Sequence, residues 1–129
     1  MRLLLDTHAA IWALVAPKEI PDRIRRLISN EENEIFVSIV SLWEIAIKFS
    51  LYGFRRMPLS CAEAAEAFEH AGYTILQARK EHALAVEPIR LPHGDPFDRL
   101  ILAQALSEPL TLVTKDRRLA AYSETIVSW

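Results

Sequence analysis

Five short apolar runs, Leu3–Leu5, Ile35–Val37, Ile75–Leu76, Leu110–Val113 and Ile126–Val127, recur along the chain without alternating polar positions. Runs of this kind are expected of strands covered on both faces, because a strand with one wet face would alternate. Between them lie segments with helical periodicity: Thr7–Val15, Asp22–Ser29, Ser41–Leu51, Cys61–Ala71, Lys80–Val86, Pro96–Leu106 and a short turn from Arg117 to Ala121. The alternation predicts an α/β fold, a mostly parallel sheet flanked by helices. Two helix starts are specified locally. Ser60-Cys61-Ala62-Glu63 has the spacing of a capping box, and Asp95-Pro96 places a capping acid before a proline at the first helical position, where a missing N–H costs nothing.

Gly53 with Arg55-Arg56-Met57-Pro58 marks one break, and Pro88, Pro92 and Gly94 punctuate a loop before Pro96. Neither has the composition of a linker, and 129 residues with 51% hydrophobic content suit one domain, residues 1–129, with an ample core. The three glycines form no phosphate-cradling loop and no dinucleotide fingerprint. A formal charge of −2 argues against a protein that holds nucleic acid by bulk electrostatics, while leaving room for a local basic groove. The single Cys61 cannot close an internal disulfide, which fits a reducing compartment, and the cytoplasm is the expected location. Asp6 and His8 interrupt the apolar N-terminal stretch, and no apolar run reaches the roughly 18 residues of a membrane span.

The candidate chemistry is acidic. Asp6, Glu44, Asp98 and Asp116 each stand at or just beyond a point where a strand-like run gives way to a helix-like one. In a parallel sheet these junctions lie along one rim, so distant acids can share a pocket. Each acid also has an ordinary structural role open to it. Asp6 can cap the first helix, and Asp116 suits a polar turn. Glu44 completes a capping-box pattern in Ser41-Leu42-Trp43-Glu44 and precedes Lys48 by four residues, the favourable order for a helical ion pair. Asp95 is best explained as a cap, and Asp98 in the first helical turn is favoured by the helix dipole.

Periodicity favours a shared pocket. Leu42, Ile45, Ala46 and Phe49 make one apolar face that Trp43 and Ile47 extend, leaving Ser41, Glu44 and Lys48 as a narrow polar stripe on a mostly buried helix. Two carboxylates about 6 Å apart repel by roughly 3 kcal/mol at an effective dielectric near 20, so a cluster of four asks for a cation or a proton. Oxygen ligands without a supporting Cys or His cluster favour Mg²⁺ or Mn²⁺. With those four set aside, the 17 Asp and Glu fall below the 15 Lys and Arg, so the remaining chain is mildly cationic.

Leu4-Leu5-Asp6-Thr7-His8, Ser41-Leu42-Trp43-Glu44-Ile45-Ala46-Ile47-Lys48, Asp95-Pro96-Phe97-Asp98-Arg99-Leu100 and Thr114-Lys115-Asp116 resemble, in this order, the sequence blocks of PIN-domain ribonucleases, and more narrowly of VapC-type toxins from toxin–antitoxin pairs. The resemblance implies a five-stranded parallel sheet and Mg²⁺- or Mn²⁺-dependent endoribonuclease activity on an RNA substrate. It also implies frequent homodimerisation and inhibition by a cognate antitoxin. Carried over by position, Asp6, Glu44, Asp98 and Asp116 become the catalytic and metal-binding acids. Thr7 and Thr114 become supporting hydroxyls, Lys48 and Arg99 phosphate contacts, and Asp95 a fifth acid that either holds metal through water or only caps its helix.

Around the acids, Lys48, Arg55, Arg56, Arg99, Lys115, Arg117 and Arg118 are candidates to guide an RNA backbone. Trp12, Trp43, Phe54 and Met57 are candidates for an antitoxin groove, with core packing expected of the two tryptophans and exposure of Phe54 and Met57. Two other readings stay open on sequence alone: a phosphoacceptor receiver-like signalling module, and a catalytically silent binding protein with the PIN fold. His8, His70, His82 and His93 lack zinc-motif spacing, and Cys61 has no accompanying His pattern for thiol catalysis.

Overall fold

The computed structural model of the chain describes residues 1–91 and 94–129. Strand β1 (Arg2–Leu5) is followed by α1 (Thr7–Val15), α2 (Asp22–Ser29), β2 (Glu34–Ser38), α3 (Ile39–Tyr52) and α4 (Cys61–His70). The second half runs β3 (Thr74–Leu76), α5 (Lys80–Val86), α6 (Pro96–Ser107), β4 (Thr111–Thr114), α7 (Arg117–Ala120) and β5 (Val127–Ser128). Pro92 and His93, part of the expected loop before α6, lie outside the described residues.

All four strand pairings are parallel, in the order β3-β2-β1-β4-β5. β1 is central, pairing Leu5 with Val37 of β2 on one side and with Val113 of β4 on the other. Its three leucines are fully buried, as the unbroken apolar run requires, and they alternate between two cores. Leu3 and Leu5 pack with Ala9, Ala10, Ile24 and Phe68 from α1, α2 and α4. Leu4 packs with Ile101 and Leu102 of α6 and with Leu119 of α7. Truncating any of them to alanine removes a side chain from a two-sided core, at a cost of about 2–5 kcal/mol.

After β1 the chain builds outward through β2 and β3, then returns to lay β4 against the other edge of β1. The order reverses between β1 and β4, and the crevice beyond their carboxyl ends is where open α/β sheets bind ligands. A receiver-like sheet has the order 2-1-3-4-5, with β3 beside β1. Here β4 holds that position, which removes the receiver-like alternative.

Both locally specified helix starts form. Ser60 and Glu63 exchange reciprocal bonds of 2.9 and 3.2 Å, and Asp95 accepts from the N–H groups of Phe97 and Asp98. α4 closes on Gly72, whose φ of +86° lets its N–H reach Glu69 O while Tyr73 N–H reaches Phe68 O. The start of α3 departs from expectation. It begins at Ile39, with Ser38 as its cap accepting from Val40 N, so Ser41-Leu42-Trp43-Glu44 is no capping box. Ser38 ends β2 and caps α3 at once, and β-branched Ile39-Val40 conceals a junction that has no loop. Among the described residues no helix is long and apolar enough to cross a membrane.

Candidate active site

Asp6 directly follows β1 and caps α1, with Oδ1 accepting from Ala9 N at 2.9 Å. Its other oxygen accepts from the hydroxyl of Thr114, the last residue of β4. The same Thr114 oxygen accepts from Asp116 N at 2.9 Å, and Asp116 caps α7 through Arg118 N at 2.8 Å. One hydroxyl thereby ties the acids beyond the two strands that flank the switch point.

On the neighbouring side, Thr7 donates to Glu44 Oε1 at 2.7 Å and stands 2.9 Å from Ser41 Oγ. Glu44 Oε2 lies 2.5 Å from Lys48 Nζ, one helical turn on. The polar stripe of α3 thus faces inward, onto the start of α1. Asp6 is 5% exposed and Glu44 3%, burial that a carboxylate tolerates only with such partners.

Asp98 sits in the first turn of α6, and its acidity reports the crowding. Burial first, then the charges of Asp95, Asp6, Glu44 and Asp116, push its carboxyl up to about 7. Asp6 is raised as well, chiefly by burial, with Glu44 adding to it and the bonds from Thr114 and Ala9 opposing it.

All five acids, Asp6, Glu44, Asp95, Asp98 and Asp116, line one pocket of about 430 Å³, with Lys48, Lys115 and Arg118 at its margin. His8 and Trp12 also line it, and Lys115 Nζ stands 5.3 Å from the centroid of the Trp12 ring. A larger cavity of about 790 Å³ opens on the opposite rim, where Glu34 and Thr74 begin β2 and β3. The smaller pocket is the chemical candidate, since it lies at the carboxyl ends of the strands and gathers the perturbed acids.

Other expected contacts fall elsewhere. Arg99 does not line the pocket, because its guanidinium donates to Ile89 O at 2.9 Å, on the segment before α6. Arg55, Arg56 and Arg117 are not among the pocket residues either, and Arg56 lies over the Tyr52 ring. Trp43, expected in the core, is 57% exposed, because α3 turns its Ser41–Glu44 stripe inward and carries position 43 outward. Met57, expected at the surface, is 3% exposed and packs in the core with Leu42, Ile45 and Phe68, whereas its neighbour Phe54 is 70% exposed. Trp12 is partly buried and packs against the core as expected.

Sequence reasoning also passed over a buried polar tie between the two acid-bearing helices. The Ser38 hydroxyl at the start of α3 donates to Gln104 of α6, whose amide donates to Gln77 O at 3.3 Å and lies 3.4 Å from His82 Nδ1. A polar Gln104 in Leu100-Ile101-Leu102-Ala103-Gln104-Ala105 was the available signal.

An all-oxygen donor set with excess negative charge fits a hard divalent cation. The oxygens are engaged internally, Glu44 by Thr7 and Lys48 and Asp6 by Ala9 and Thr114, and among the described residues no three His, Cys, Asp or Glu are already grouped to hold a metal ion. The residues fit such an ion in chemistry, and Lys48 already pairs with one of the candidate ligands, Glu44.

Comparison with known families matches residues 3–124 to the PIN domain. The chain is 33% identical over 126 residues to Ribonuclease VapC22 of Mycobacterium tuberculosis, covering 93% of this chain and 91% of that protein. Its fold is similar to that of VapBC2 from Rickettsia felis bound to a DNA fragment from its promoter, with a TM-score of 0.68 and 20% identity over 100% of this chain and 98% of that one. DNA-bound VapBC from Salmonella typhimurium gives a TM-score of 0.67 and 24% identity over 100% and 97%. With the match spanning nearly its whole length, the chain belongs to the PIN domain family.

Proposed function

We propose that this chain is a Mg²⁺- or Mn²⁺-dependent endoribonuclease, acting as the toxin of a toxin–antitoxin pair. The observation that carries the proposal is the gathering of five carboxylates on one pocket at the switch point, where burial first and then the neighbouring acids push Asp98 up to about 7. The 33% identity to Ribonuclease VapC22 supports the same chemistry.

Asp6, Glu44, Asp98 and Asp116 would hold the ion, which supplies a bound water of lowered pKa and positive charge for the scissile phosphate. Thr7 and Thr114 keep Glu44 and Asp6 oriented through their hydroxyls. Asp95 holds the first turn of α6, and so Asp98, by accepting from two backbone N–H groups. Lys48, Lys115 and Arg118 stand where a phosphate backbone would cross the pocket margin. Hydrolysis by water makes the RNA 2′-hydroxyl dispensable as nucleophile and leaves a 5′-phosphate and a 3′-hydroxyl. Similarity to the VapBC complexes supports an antitoxin partner, and a homodimer completes the proposal.

The test is cleavage of structured RNAs by antitoxin-free protein, with and without Mg²⁺ or Mn²⁺, beside the Asp6→Asn variant, with the new ends mapped. Metal-dependent cutting that the variant lacks is expected. Cyclic 2′,3′-phosphate ends, or cutting that survives both chelation and the substitution, would overturn the proposal.

A further inference from the structure

Trp43 presents more than half of its surface to solvent, although its α3 neighbours Val40, Leu42 and Ile45 are buried. Its ring meets Phe97 at 5.2 Å between centroids and 72° between planes, an edge-on contact that covers at most one face of the indole. Trp43 precedes Glu44 on α3, and Phe97 precedes Asp98 on α6, so the aromatic pair bridges the two helices beside the acids they carry. Neither ring lines the pocket itself, but each stands one residue from an acid that does, so the pair forms a ledge just outside it.

Its extent limits what can occupy it. Among the described residues, the next exposed large apolar side chain along α3 is Leu51 and along α6 is Leu106, each about 12–14 Å further on at the rise of a helix. A stable contact with another protein covers about 800 Å² on each side, several times what two rings offer. An unpaired nucleobase matches their size. Lys48, Lys115 and Arg118 at the pocket margin supply the charge that the phosphates on either side of such a base require.

We propose that Trp43, buttressed by Phe97, is a stacking subsite for one unpaired base of RNA next to the bond to be cut. The inference rests on the nuclease reading and specifies it further, because only a base free of its own helix can reach the indole face. Single-stranded segments or loops are then the substrate, and duplex RNA is not.

The test measures binding of a dye-labelled mixed-sequence RNA hexanucleotide by anisotropy, with Ca²⁺ replacing Mg²⁺. Trp43→Ala is expected to weaken binding roughly 5- to 150-fold, the range of a lost base–aromatic stack, with Trp43→Phe falling between it and the wild type. Thermal unfolding with and without Mg²⁺ should show the same cation-induced shift in Trp43→Ala as in the wild type, and a blunt-ended two-strand RNA duplex without a loop should bind no differently to the two. Equal hexanucleotide affinity in Trp43→Ala overturns the proposal, as does a Trp43→Phe variant no better than alanine. Unchanged RNA affinity with a dimer reduced to monomer by light scattering assigns the ledge to a second copy, and with antitoxin binding lost assigns it to that partner. Trp43-dependent binding without any cleavage would keep the subsite and remove the nuclease reading, whereas cleavage and binding both indifferent to Trp43 would do the reverse.

Discussion

Thr114 donates its hydroxyl hydrogen to Asp6 across 108 positions of sequence, joining the ends of two adjacent parallel strands. The bond holds the Asp6 carboxylate against a burial that raises its pKa, and the same oxygen receives the backbone N–H of Asp116. A hydroxyl can serve both because it donates once and accepts twice.

Thr114→Val keeps the shape and removes both bonds. The Asp6 pKa is expected to rise further, the fold to lose about 1–3 kcal/mol in urea unfolding, and cleavage to fall about 10- to 100-fold. Wild-type cleavage by a folded variant would show that Asp6 needs no orienting partner.

Lys48 pairs with the buried Glu44 carboxylate. Lys48→Met should destabilise the metal-free protein by about 1–3 kcal/mol, less than a fully buried pair because Lys48 is partly solvated. Mg²⁺ should then stabilise the variant more than the wild type, since no ammonium competes for Glu44. A smaller Mg²⁺-induced shift in melting temperature would contradict this role.

Asp98 makes metal-free stability depend on pH. Its carboxyl, pushed up to about 7 in the folded chain, lies above the 3.8 of an unperturbed aspartate, so between these limits the unfolded chain releases a proton that the folded chain retains. Ionisation therefore favours unfolding progressively, and the penalty is complete above about pH 7. Urea midpoints in EDTA should fall from pH 5 to pH 8, Mg²⁺ should restore more stability at pH 8 than at pH 5, and Asp98→Asn should flatten the profile. A wild-type midpoint that rises over this interval in EDTA, with Asp98→Asn parallel to it, would remove the argument.

Gln104 joins the start of α3 to α6 through Ser38 and to the carbonyl of Gln77. Gln104→Leu strands the Ser38 hydroxyl in the core and takes a donor from the part-buried carbonyl of Gln77. A loss of about 2–4 kcal/mol is expected in chemical denaturation. Because the tie joins the helices that carry Glu44 and Asp98, stabilisation by Mn²⁺ should also shrink. Undiminished stability would mean that water takes over both bonds.

How much was legible follows from the reach of each interaction. Leu3-Leu4-Leu5 announces a strand buried on both faces, because apolar side chains on both sides of the pleat have no other stable place. Asp95-Pro96 and Ser60 with Glu63 announce helix starts, because a cap and its N–H partners lie within three residues. The junctions at Asp6 and Asp116 are legible for the same reason, and parallel strands carry them to one rim, whereas Asp98 follows α5 rather than the expected strand and reaches the rim through the packing of α6. Ser38 escaped notice because strand and helix share it, and β-branched residues at 39 and 40 look like more strand.

The alternation of apolar runs and helical periods, with acids at the turns between them, determined the α/β architecture and the rim where chemistry would gather. Tertiary structure alone decided that Thr7 would meet Glu44, that Thr114 would meet Asp6, that Arg99 would turn to Ile89 and that Trp43 would stand outside the core. Capping and strand burial are settled by neighbours a few bonds away. A side chain's partner across the fold, in contrast, depends on which helix faces arrive together, and no local pattern holds that information.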